Sequence, residues 1–154
     1  MEIENKLRAM GLELPEPSEA VANYISCVRV GDILFVGGNI GRFAGQKLKY
    51  AGKVGDAVTV EQAYEMARNC CLNHLAKIKA ELGDLDRVER IVKVTGYVNV
   101  APGFRDVPKV VNGTSDLLVA LWGERGRHAR SAVGVAVLGS DAPVETEVIV
   151  QVRG

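Results

Sequence analysis

HARSAVGVAVLGSDAPVETEVIVQVRG, residues 128–154, is the stretch that decides the fold. Valine and alanine dominate two runs, about Arg130 to Leu138 and Val144 to Val152, with a glycine- and proline-bearing turn between them. Runs of this composition read as buried strands, so Arg130, Glu145 and Glu147 are charges placed where water is scarce. Buried charges need partners. A guanidinium satisfies a carboxylate through a two-pronged hydrogen bond, and where no protein carboxylate takes that fork a small anion can. Sequence does not fix strand register, so a structural ion pair from Arg130 to Glu145, Glu147 or Asp141 stands beside ligand binding as an alternative.

Along the first run the side chains alternate between Ser131, Val133, Val135 and Val137 on one side and Arg130, Ala132, Gly134 and Ala136 on the other. Upstream lies a helix pattern from about Arg105 to Trp122, weakened by Pro108 and Gly113, and before it an apolar strand within Arg87–Val100. The clearest helix follows Thr59, which with Gln62 forms a capping box. Val60, Ala63, Tyr64, Ala67, Cys71, His74, Ile78 and Leu82 share one of its faces, and Gly83 ends it. Tyr24 to Val30 and Ile33 to Val36 read as strands joined by a Gly31-Asp32 hairpin turn. The glycine-rich segment from Gly37 to Gly55 reads as an excursion with one short strand near Leu48. Ile3, Leu7 and Met10 mark a short N-terminal helix within an extension, residues 1–17.

The order strands, helix, strand, helix, strand, strand implies one α+β domain over residues 1–154, a mixed sheet with two helices on one face. Small residues in the edge run, with 47% apolar residues overall, predict that the helix-free face packs against other copies. Nineteen basic residues balance nineteen acidic ones, so no long-range field draws in nucleic acid or a membrane surface. The three cysteines show no metal-ligand or redox spacing and read as buried thiols. The amphipathic, acidic start and the lack of a bilayer-length apolar run predict a cytoplasmic chain. His74 lies on a core stripe and His128 in a basic loop, and no metal or cofactor is expected.

The run ARSAVGVAVL (129–138), a turn, and VETEVIV (144–150) resemble the C-terminal signature of the Rid (YjgF) reactive-intermediate deaminase family. Tyr24 with Gly37-Gly38-Asn39-Ile40 resembles the family's tyrosine and its Ser-Gly-Gln-Ile segment. VKVTGYVNVAPGF (92–104) resembles its fourth strand, and Val111-Asn112-Gly113 the Val-Asn-Ala of its second helix. The resemblance implies a chorismate-mutase-like homotrimer with ligand clefts between subunits. It also implies that Arg130 anchors the carboxylate of a 2-imino or 2-keto acid and that Glu145 holds or activates water. Tyr24, Gly38, Asn112 and Ala132 would line the cleft. Three positions depart from the family: Gly37 for serine, Ala132 for cysteine, and Ser115 where tyrosine is frequent. These mark a divergent branch and leave carboxylate binding better supported than imine hydrolysis. A non-catalytic carboxylate-binding module is the alternative. RNA cleavage is a third reading, opposed by zero net charge and only 5% aromatic residues.

Overall fold

The computed structural model describes residues 1–20 and 22–154. In chain order they form α1 (Glu2–Ala9), β1 (Cys27–Val30), β2 (Ile33–Asn39), α2 (Val60–Leu82), β3 (Val88–Asn99), α3 (Val107–Trp122), β4 (Ala129–Val135) and β5 (Val144–Val152). Strand order across the sheet is β1-β2-β5-β3-β4, so the last strand in sequence sits at its centre. Among the described strands only the β3–β4 pair is parallel, and α3 makes the crossover that such a pair requires.

β5 alternates as a one-sided strand does: Val144, Thr146, Val148, Val150 and Val152 are buried, with Glu145, Glu147, Ile149 and Gln151 on the other side. The buried set meets α2 and α3, which lie together on one face. α2 carries both halves of the capping box at Thr59 and Gln62, and Gly83 closes it at φ 85°. α1 adds Ile3 and Leu7 to the same core, so the N-terminal extension is packed into the domain. Among the described residues no helix is long and apolar enough to cross a membrane.

Gly113, which argued against a helix, is what lets α3 cross α2. A methyl group there would lie 2.1 Å from the Tyr64 carbonyl oxygen, and one on Gly96 would lie 2.5 Å from a Val111 methyl. The hairpin turn stands where Gly31-Asp32 predicted it, with Val30 opposite Ile33. Several boundaries differ from the sequence reading. Tyr24 lies in the exposed bends before β1, β2 runs on to Asn39 through a bulge, β4 stops at Val135, and no strand forms near Leu48. Leu48 instead packs partly buried against the core.

The small-residue rationale for a docking face also needs correcting. Arg130, Ala132 and Gly134 stand opposite Val94, Gly96 and Val98, which are buried, so the small set faces the helices. Ser131 and Val133 face the other way. That helix-free side nevertheless exposes several apolar residues. Val28 (47% exposed), Val30 (62%), Phe35 (44%) and Val133 (44%) all share it by register.

Candidate functional site

The parallel register puts Arg130 beside Val94, on the side where α3 passes. One turn of α3 presents Asn112 and Ser115 to it, three residues apart. Nη1 of Arg130 donates to Asn112 Oδ1 at 2.7 Å and to Ser115 Oγ at 3.2 Å, while Nη2 makes only a long 3.5 Å contact with the Pro108 carbonyl. No ion pair among the described residues includes Arg130, so the structural pair with Glu145, Glu147 or Asp141 is not formed. Among the described residues Nε has no partner, and it is not sealed from water. Neutral partners thus lock Nη1 and leave the Nε–Nη2 edge, the side-on fork of a guanidinium, open to an anion.

His128 extends this corner and is half-buried, not an exposed loop residue. Its Nδ1 lies 2.7 Å from the Gly126 carbonyl and its Nε2 lies 2.8 Å from Ser115 Oγ. A carbonyl only accepts, so Nδ1 bears the hydrogen, and Nε2 then accepts from the serine hydroxyl. Burial, with the Arg130 charge adding to it, lowers the affinity of His128 for a second proton. The i, i+3 spacing of Asn112 and Ser115 and the i, i+2 spacing of His128 and Arg130 were visible signals of this cluster. Which strand α3 would cover was not.

On the other face of the sheet lies the second group. Glu145 stands opposite Tyr97, three residues from Val94 in an unbroken register, so its side chain points away from Arg130. It lines a cavity of about 720 Å³ with Tyr24, Gly38, Asn39, Arg42 and Lys77. A methyl group on Gly38 would lie 2.8 Å from Glu145 Oε2, so the glycine makes room for the carboxylate. Burial, and then the charge of Glu147, raise the pKa of Glu145. Glu147 itself accepts from the Tyr97 hydroxyl at 2.8 Å.

The cavity lip is tied to α2. Asn39 Oδ1 accepts from Gly41 N at 2.8 Å and from Asn73 Nδ2 at 2.9 Å, and the Cys70 thiol donates to the Asn39 carbonyl at 3.1 Å. Lys77 is 8% exposed, and burial lowers its pKa. Sequence reasoning passed over it because it lies beside a core stripe on a long helix. His74 is a core residue, bonded to Thr146 Oγ1 at 2.9 Å and kept neutral by burial, its pKa lowered to about 3. Ala132 packs partly buried against the core, and Gly37 N donates to the Ser26 carbonyl at 2.9 Å. Among the described residues no three His, Cys, Asp or Glu side chains gather as metal ligands would.

The predicted site residues therefore fall into two separate groups within one chain. Arg130 and Asn112 stand at the β4 edge on the helix side, while Tyr24, Gly38 and Glu145 meet at the cavity on the opposite face.

A family model described as "YjgF/chorismate mutase-like, putative endoribonuclease" matches residues 4–146. The chain is 40% identical over 149 residues to the protein TCP17 of Trypanosoma cruzi, covering 96% of this chain and 92% of that protein. It superposes on a crystal structure from Agrobacterium tumefaciens with a TM-score of 0.91 at 39% identity, over 99% of this chain and 93% of that one. Against RidA from an Antarctic Psychrobacter the TM-score is 0.62 at 25% identity, over 91% and 96% of the two chains.

Proposed function

The chain belongs to the YjgF/chorismate-mutase-like family, and from that premise we propose that it binds small 2-imino and 2-keto carboxylates where copies of the chain meet and hydrolyses the imines. The observation that carries this reading is the state of Arg130, a half-buried cation whose partners are all neutral and whose outer edge is free. Bare apolar residues on the helix-free face support a homotrimer in which the Arg130 edge of one copy meets the Glu145 cavity of the next.

In this mechanism the substrate carboxylate takes the Nε–Nη2 fork, which fixes the imine carbon over the neighbouring cavity. Glu145, raised by burial, accepts a proton from water as the oxygen bonds to that carbon. That proton passes to nitrogen to give a carbinolamine; Glu145 then takes the hydroxyl proton and delivers it to nitrogen as the carbon–nitrogen bond breaks, so ammonia and a 2-keto acid leave. An imine is already electrophilic, so positioning and proton transfer suffice. Gly37 and Ala132, which lack the family's hydroxyl and thiol, favour as second reading a module that holds the carboxylate without turning it over. The balanced net charge supports a small ligand over RNA.

The decisive experiment mixes two inactive variants. Arg130→Ala and Glu145→Gln chains, unfolded together and reassembled, should recover about a quarter of wild-type hydrolysis of 2-aminoacrylate generated in place, by random pairing of neighbours. No recovery, with both variants well assembled, would sink the shared site. Turnover unaffected by either substitution would sink the chemistry.

A further inference from the structure

We propose that Ser115 is a nucleophile with His128 as its base, so that the Arg130 corner also accepts acyl groups from activated esters that carry a free carboxylate. The inference shares Arg130 as anion anchor with the function proposed above and does not depend on imine hydrolysis.

Serine hydroxyls are inert until a base takes the proton, and the base must be held in the right tautomer by a third group. All three parts are present. Ser115 Oγ is 2.8 Å from His128 Nε2, and His128 Nδ1 is 2.7 Å from the Gly126 carbonyl, which fixes the hydrogen on Nδ1 and points the lone pair of Nε2 at the serine. Burial keeps the imidazole neutral, which leaves the Nε2 lone pair available to take a proton. Arg130 Nη1, 3.2 Å from the same oxygen, places a positive charge beside Oγ, which favours loss of its proton. Ser115, His128 and Arg130 are each only half-buried, so the cluster is open to a ligand from solvent.

The step balances without a further reactant. Ser115 Oγ bonds to the acyl carbon as its proton passes to His128 Nε2, and the leaving alkoxide or phenolate departs with that proton. Water then attacks the acyl-serine, gives a proton to Nε2, and the serine takes it back as the acid is released. The adjacent open fork of Arg130 selects acyl compounds with a second, ionised carboxyl group, such as half-esters of short dicarboxylic acids.

The test is the full-length protein with p-nitrophenyl hemisuccinate, compared with the neutral p-nitrophenyl acetate. A burst of p-nitrophenol and a succinyl adduct mapped by mass spectrometry to Ser115 are expected. Ser115→Ala should remove the adduct, and His128→Gln should slow acylation about 10²- to 10⁴-fold while preserving a side chain able to hydrogen bond. Preference for the hemisuccinate should fall at least about tenfold in Arg130→Ala. An adduct confined to lysine or cysteine, no adduct, or a rate unchanged in Ser115→Ala would overturn the inference. Hydrolysis of 2-aminoacrylate is measured on the same preparations. Turnover without Ser115 acylation defeats this inference alone, and acylation without turnover defeats only the preceding one.

Discussion

The Arg130 corner and the Glu145 cavity hold opposite charges in opposite ways. Arg130 is gripped by groups that carry no charge, Asn112, Ser115 and the Pro108 carbonyl, so its geometry is fixed while its charge is left over. Glu145 has a like charge for a neighbour and partial burial for a setting, and both push it toward its protonated form. On the proposed function, one site receives an anion and the other exchanges a proton. The sheet separates them within a chain, so on that reading their chemistry meets through another copy.

The contrast breaks most readily at the cation. Arg130→Ala should weaken 2-keto acid binding by about 2–4 kcal/mol, some 30- to 1000-fold, as read by calorimetry. Its melting temperature should stay near wild type because no charged partner is stranded, and a large drop would instead mark Arg130 as structural. Next in size is Gly113→Ala, behind the same corner. The backbone oxygen of Tyr64 cannot step aside, so about 1–3 kcal/mol of stability should be lost in thermal or denaturant unfolding. An unchanged melting temperature would show that α2 and α3 are not so tightly apposed.

The cavity is sharpened by pH. A raised Glu145 pKa means that the base form, and with it hydrolysis, is lost as pH falls through a value above the ordinary carboxylate range. For stability the sign is reversed: the buried acid favours the fold below the unfolded pKa, and that contribution disappears as pH rises through the raised value. Replacing Glu147 with Gln removes the like charge and should move the acid limb of the rate profile downward; an unmoved limb would leave burial as the sole cause. Smallest is Gly38→Ala. The methyl meets the flexible tip of Glu145, so stability should change by under about 1 kcal/mol while kcat falls more than KM.

Much of the fold was written in short-range chemistry. Thr59 and Gln62, the Gly31-Asp32 turn and the alternation along Val144–Val152 each act over a few residues, and each element stands where those signals put it. Gly113 weakened the prediction of a helix that does form, because its cost to helix propensity is local while its benefit, room for Tyr64 of another helix, is not. The same limit governs the site. Arg130 and Glu145 were legible as charges in apolar strands, yet their faces follow from the Val94–Arg130 and Tyr97–Glu145 registers, which no single strand encodes. Ser115 and His128 escaped because their contact depends on where α3 lies over β4.

The neutral cradle around Arg130 has an electrostatic corollary. None of its direct partners titrates in the working range, so the corner behaves as a permanent unit charge until His128 takes up a proton and adds to it. Chloride and ionic strength should therefore tune anion capture there, whereas acidity should act through His128, Glu145 or the captured molecule.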